Sequence, residues 1–300
     1  MAFSYGGLNH LGWITSFRVA GRECIGTLLA RYEELQRFDH RFAAFDAGLV
    51  RRLGAVPTEY DYYYYEPRRY VAAVARAGAS RGADVLRLNT GLLADIAKAF
   101  GSGDVRDAWR AYSTQMGIRR ASYMRTDVAG QGMARPSGGG GAGPGATAGP
   151  GTVPAPDAAG NGDLGPAGDP ANVRPGGYEG VALQVIAALT GRRPGAVIVN
   201  TRNGGSLPFL DPDDVVEVPA HIDRGGVAPL AGGQLPRSAR GLVTQVKEYE
   251  REVVSAAVTG DAERAALALA LHPLVPGISV AREMMSEYRE LHGPDLAYLQ

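Results

Sequence analysis

Between Arg135 and Gly177 the sequence is dominated by Gly, Pro and Ala, with Leu164 among its few large apolar residues. Ordering a residue's backbone costs roughly 1–2 kcal/mol, and a tract with so little apolar surface cannot offset that by burial. It has no G-x-y period, so a collagen-like helix is excluded. A disordered linker or surface insertion is expected. The chain therefore reads as a folded part over residues 1–134, a linker over 135–177, and a second part of the same domain over 178–300.

Both flanking blocks carry folding signals. In the first, Phe17-Arg18-Val19 and Glu23-Cys24-Ile25 flank Ala20-Gly21, a pattern that suits a short hairpin and puts Cys24 in a strand. Leu28, Leu29, Tyr32 and Leu35 recur at helical spacing, and helical character returns from Tyr70 through Met116. In the second block, Val181, Val185, Ile186 and Leu189 predict one apolar helix face. Ala196-Val197-Ile198-Val199 predicts a buried strand, and Val215-Val216-Glu217-Val218 another that stops at Pro219. A long helix is expected after Pro236, with Leu242, Val246, Tyr249 and Val253 on one side. Two more helices follow, separated by His272-Pro273-Leu274-Val275. The fold class is α+β and helix-rich.

Charge narrows the functional classes. Lys plus Arg and Asp plus Glu each total 31, so the formal net charge is zero and gives no electrostatic reason to expect nucleic acid or an anionic membrane as a partner. No run reaches the length of a membrane span. The single cysteine, Cys24, rules out an internal disulfide, fits a reducing compartment, and has no histidine beside it to activate its thiol. A cytoplasmic protein is expected.

Two motifs could carry chemistry. In Gly7-Leu8-Asn9-His10-Leu11-Gly12-Trp13, a polar pair after a glycine pair can aim an imidazole into a cleft, where it could ligate a metal. The alternative is a histidine satisfied by a backbone carbonyl, and one histidine is not a metal site. In Pro57-Thr58-Glu59-Tyr60-Asp61-Tyr62-Tyr63-Tyr64-Tyr65, five tyrosines fall within six positions. A phenol near a cation can lose its proton and act as a base. The alternative is an aromatic strand, or a turn into a helix, with hydroxyls reaching solvent. His40, His221, His272 and His292 sit in polar or junction contexts that suit solvation or capping. No glycine-rich phosphate loop opens a helix after a strand.

Taken in order, these segments resemble family-four glycoside hydrolases. Gly-Leu-Asn-His-Leu-Gly-Trp is similar to the family's metal-histidine segment, and Pro-Thr-Glu-Tyr-Asp-Tyr-Tyr-Tyr-Tyr to its Pro-x-x-Tyr-x-x-Tyr-Tyr-Tyr segment. Gly176–Ala182, Asn203-Gly204-Gly205, Val215–Pro219, Tyr249-Glu250 and His272-Pro273-Leu274-Val275 continue the series. The 6-phospho-β-glucosidase branch is the most similar.

The resemblance implies a substrate and oligomerisation domain of the lactate/malate dehydrogenase-like type, in a homo-oligomer acting on a phosphorylated glucoside. It also implies NAD and a divalent metal, usually manganese, and this family stands apart from the two-carboxylate glycosidases. The implied cycle is oxidation at C3, proton removal at C2 by a tyrosine, elimination, water addition and reduction. By the same correspondence His10 is the metal ligand, Tyr60 or Tyr63 the base, Asn9 and Asn203 sugar-facing, and Arg174 a phosphate contact.

Two departures shape the expectation. The family's glycine-rich NAD loop has no counterpart in this chain, so no cofactor-binding residue is assigned. The family's metal cysteine lies upstream of its histidine, whereas Cys24 lies downstream of His10. Alone, the chain is expected to bind manganese weakly and to be inactive, as part of a longer enzyme. The competing reading is an inactive truncated remnant that binds a sugar phosphate or oligomerises.

Overall fold

A computed structural model describes residues 2–38, 42–77, 80–121 and 177–300. The tract over 135–177 lies outside these residues except for Gly177, as do Arg174 and His40. The chain divides into two compact units, Met1–Tyr65 with Val153–Gln300, and Glu66–Thr152.

The larger unit is built on a mixed-order antiparallel sheet. Its strands are β1 (Ala2–Leu8), β2 (Leu11–Val19), β3 (Arg22–Glu23), β4 (Val56–Pro57), β5 (Gly195–Arg202), β6 (Val215–Asp223) and β7 (Gly226–Pro229). The order across the sheet is β3-β2-β1-β6-β5, with β4 paired to β2 and β7 to β6. Strand β6 shows why one face is buried. Val216, Val218, Ala220 and Ile222 alternate inward at zero exposure, so Glu217 and His221 project from the opposite face.

Pro219 does not end β6, contrary to the sequence expectation; the strand runs on to Asp223. The missing N–H falls where it is not needed. β1 pairs with β6 at Glu217, β7 pairs with it from Ala220 onward, and the Pro219 carbonyl still accepts from Leu230 N at 2.8 Å.

The core covers one side of the sheet. Leu8, Leu11, Trp13, Val216 and Val218 pack with Ala239, Val243 and Val246 of α9 (Arg237–Thr259). Leu242 and Tyr249 lean on the same cluster, whereas Val253 is exposed. Gly260, at φ 74°, closes α9, and Asp261 opens α10 (Ala262–Leu271) by accepting from Arg264 N at 2.9 Å. Helix α11 (Ile278–His292) follows.

A second cluster joins Ala188, Val181 and Val185 of α8 (Gly177–Leu189) to Val197 and Ile222. Ile186 and Leu189 were expected on this face but are exposed, because the packed positions 181, 185 and 188 follow the i, i+4, i+7 row.

Toward the N-terminus, α1 (Ile25–Ala30), α2 (Tyr32–Phe38) and α3 (Ala47–Leu53) are short. Cys24 is the N-cap residue of α1 rather than a strand residue, so the hairpin around Ala20-Gly21 is shorter than its composition suggested. Asp46 and Gly54 cap α3 at its two ends. The smaller unit contains α5 (Pro67–Ala77), α6 (Arg81–Gly101) and α7 (Val105–Ala121). The side chain of Ser80 caps α6, and α6 packs on α7.

Asn203 organises the loop between β5 and β6. It is fully buried. Its amide nitrogen donates to the carbonyls of Leu207, Leu210 and Asp211 at 3.0–3.1 Å, and its oxygen accepts from Leu207 N at 2.7 Å. Arg251 of α9 ties the same loop to the helix through Asp214 at 2.6 Å and Asp211 at 2.8 Å. Asn203→Ala leaves several buried backbone groups unpaired and should cost at least about 2 kcal/mol in urea unfolding. A change below about 0.5 kcal/mol would show that the loop holds without this amide.

Candidate functional site

The site begins at a two-residue turn between β1 and β2. Leu8 pairs with Leu11, so Asn9 and His10 alone connect β1 to β2. His10 has φ 61° while Asn9 keeps a negative φ, the signature of a type II turn, whose second central position favours glycine. A non-glycine residue held there costs on the order of 1–3 kcal/mol, a strain that occurs most often at functional sites. The side chains of Asn9 and His10 are both exposed.

The tyrosine segment reaches the same place. β4 pairs with β2 through Trp13 and Pro57, and Thr58 N donates to the Gly12 carbonyl at 3.0 Å. The chain then turns through a 3-10 segment (Glu59–Asp61) into α4 (Tyr62–Tyr65). This turn into a helix seats the Tyr60 ring against the His10 imidazole, with centroids 4.0 Å apart, and puts Tyr63 6.4 Å from Tyr60. His10, Tyr60 and Tyr63 are thus gathered from segments fifty residues apart, with Asn9 beside them. Tyr64 goes elsewhere, to His272 at 6.1 Å, which also meets Tyr249 at 4.8 Å. Asn203, expected at the sugar, is not in this group; its amide is consumed by the β5–β6 loop. Arg174 lies outside the described residues.

Three acidic groups not singled out in the sequence surround the cluster. Asp61 is completely buried. Its Oδ2 accepts from Thr58 N at 2.8 Å, closing the cap of the 3-10 segment, and the Gly12 backbone also hydrogen-bonds it. Burial nonetheless pushes its carboxyl well above the usual aspartate range, outweighing those donors. Tyr5 Oη donates to Glu217 Oε2 at 2.5 Å. Burial first, then the Glu217 charge, raises the Tyr5 phenol well above its ordinary value. Glu217 is itself raised by burial, against the opposing effects of the Tyr5 hydrogen bond and of His10 nearby. The signal that could have found Glu217 is its place in β6, a charged residue between valines that point the other way.

A divalent metal would need three or four protein ligands or two to three plus substrate atoms. Among the described residues no group of three or more His, Cys, Asp or Glu side chains is placed to hold one. Cys24, at the far end of β2, is half-buried, and its thiol donates to the Arg22 carbonyl at 3.4 Å. The described residues therefore do not fit a complete metal site. Among them, no helix is long and apolar enough to cross a membrane.

Residues 5–275 match the Family 4 glycosyl hydrolase C-terminal domain, and the chain belongs to that family. It is 39% identical over 115 residues to the probable 6-phospho-beta-glucosidase of Bacillus subtilis (strain 168), a match covering 38% of this chain and 26% of the relative. With 6-phospho-beta-glucosidase BglT of Thermotoga maritima it shares 34% over 113 residues, covering 38% and 27%. The matched segment is thus about a quarter of the length of these curated relatives.

Among solved structures, the Thermotoga maritima 6-phospho-beta glucosidase with manganese, NAD+ and glucose-6-phosphate superposes with a TM-score of 0.63 at 19% identity. The match covers 97% of this chain and 53% of that one. A 6-phospho-alpha-glucosidase from gut microorganisms, with NAD and Mn2+, gives 0.61 at 16% identity, covering 98% and 55%. At these identities the likeness establishes the fold.

Three substitutions test this geometry. His10→Gly relieves the positive φ but loses the ring contact, so thermal unfolding should place it at or above the parent. His10→Val should fall by more than about 1 kcal/mol; the reverse ranking would mean the turn is unstrained. Asp61→Asn tests burial of the carboxyl. Its folded pKa is raised, so the stability linked to its proton is present below the ordinary aspartate value and is lost as pH rises through the folded value. The advantage of Asp61→Asn over the parent should grow from pH 4 toward pH 8. A gap that is constant with pH would refute it.

Proposed function

We propose that this chain carries the sugar-facing part of a glycosidase acting on 6-phospho-β-glucosides, with residues 1–134 and 178–300 forming one substrate domain joined through 135–177. The NAD-dependent oxidation, elimination, addition and reduction of the family resemblance belongs to this reading, as part of a longer enzyme. The observation that carries it is the strained His10 turn with the Tyr60 ring packed against it at a tilt and Tyr63 next in line. A backbone strain of that kind is retained where the side chain's direction matters.

In this reading His10 contributes one ligand to a divalent metal whose remaining ligands lie outside the described residues. Tyr60 or Tyr63 takes the proton from the sugar C2. Asn9, exposed at the turn, meets a sugar hydroxyl. Asn203 acts at one remove, by holding its loop. Arg174 keeps the proposed role of a phosphate contact. Because this chain matches the C-terminal domain, the natural test joins it to the part of the Bacillus subtilis relative that precedes its own C-terminal domain.

Loss of a general base commonly costs about a hundred- to ten-thousandfold in rate. In that fusion, one of Tyr60→Phe and Tyr63→Phe should lower hydrolysis of a chromogenic β-glucoside 6-phosphate by that order and abolish solvent exchange at C2. The other should cost about tenfold or less, the loss of a hydrogen bond. His10→Ala should remove tight manganese binding. If both phenylalanine variants keep full turnover and C2 exchange, neither tyrosine is the base, and the chain is better read as a non-catalytic sugar-phosphate or oligomerisation module.

A further inference from the structure

We infer that Glu217 is a substrate-contacting residue that reads a sugar hydroxyl beside His10. The inference rests on the sugar-facing reading above and adds to it a residue that the sequence motifs did not mark. Its basis is one cross-strand row. Gly12 of β2 pairs with Gly7 of β1, Gly7 with Glu217 of β6, and Glu217 with Asn200 of β5. Side chains in such a row share a face, and direct partners lie about 5 Å apart. Two members of the row have no side chain, so the carboxylate and the exposed Asn200 amide stand alone at one end of it.

The glycines are required. A Cβ on Gly12 would come within 2.1 Å of Tyr5 Oη, and one on Gly7 within 2.0 Å of the Leu11 carbonyl oxygen. The Tyr5 phenol occupies the space above Gly12 and from there holds Glu217 Oε2 at 2.5 Å. Tyr5 is buried, so the carboxylate is anchored to a fixed group rather than to solvent.

Among the described residues Tyr5 is the one donor to Glu217, and no Lys or Arg pairs with it. A half-buried carboxylate with one donor has acceptor capacity left on Oε1, and it lies within electrostatic reach of the exposed His10 imidazole, which packs against the Tyr60 ring. A neutral hydroxyl donor satisfies that capacity without importing a second charge. A sugar ring supplies adjacent hydroxyls, apolar C–H faces for the Tyr60 ring, and an acceptor for the Asn200 amide. A fixed acceptor of this kind discriminates strongly against a ligand lacking the hydroxyl, because the carboxylate is then left unpaired.

The experiment is an NMR titration of the full chain with glucose 6-phosphate, for the parent, Glu217→Gln and Tyr5→Phe, each first shown to be folded by its amide spectrum. Glu217→Gln keeps the shape but removes the charge, and should weaken binding about tenfold or more. Tyr5→Phe frees the carboxylate and should weaken it less. The Glu217→Gln penalty should collapse to within about twofold for the deoxy sugar phosphate that lacks the contacted hydroxyl. If the parent binds and Glu217→Gln binds equally well, the inference fails while the sugar-facing reading stands. A penalty that persists across the 2-, 3- and 4-deoxy sugars also overturns it. If the parent shows no shifts at any concentration, the sugar-facing reading fails and takes the inference with it.

Discussion

The hydrogen bond from Tyr5 to Glu217 joins side chains 212 positions apart, and the rest of the site depends on what makes it possible. Strand β1 meets β6 in register at a single pair, Gly7 with Glu217. On the other side β1 is fully zipped to β2. The phenol therefore bridges a well-paired hairpin to a strand that β1 touches only briefly. The bulge between Ser4 and Tyr5 adjusts the direction of the ring, and Gly12 leaves room beneath it. With those conditions met, the hairpin tip bearing His10 is held relative to β6 and to the loop organised by Asn203.

Opposing effects set the character of the cluster. Asp61, Tyr5 and Glu217 are all shifted toward their protonated forms, in each case with burial as the leading cause. Hydrogen bonds from Thr58 and Gly12 to Asp61, and from Tyr5 to Glu217, act the other way for the carboxyls and lose. The result is a set of acids whose ionised forms burial disfavours, with Glu217 within electrostatic reach of the solvent-exposed His10 imidazole. A low-dielectric acidic floor raises the effect of any charge brought to it. It also means that the two segments meeting at Gly12 are joined by groups whose hydrogen bonding changes with a single proton.

Much of this architecture could be read from residue order. The apolar run around Val197 and the alternation through Val216 and Val218 gave strands β5 and β6 their places, and the helices after Pro236 followed their periodicity. His10 and Tyr60 were singled out from local composition and family likeness, and the fold brings them to 4.0 Å. What could not be read depended on partners distant in sequence. Pro219 reads as a stop in the sequence, and the gap between β1 and β7 that accommodates it is a tertiary feature. Asn203 stood in the right motif, yet its role follows from carbonyls four to eight residues ahead turning back onto it. Ile186 and Leu189 matched a helix face whose true centre was fixed by β5 and β6. Glu217 and Asn200 become neighbours only through strand register.

The positive φ at His10 has a consequence on the timescale of descent rather than of chemistry. Glycine and asparagine suit that turn position better than histidine does. A lineage still using the imidazole must hold it there against a steady drift of mutations that would improve folding. A lineage that had lost the use of it would feel no such restraint. The residue found at this turn in related chains therefore serves as a record, position by position, of which copies are still in service.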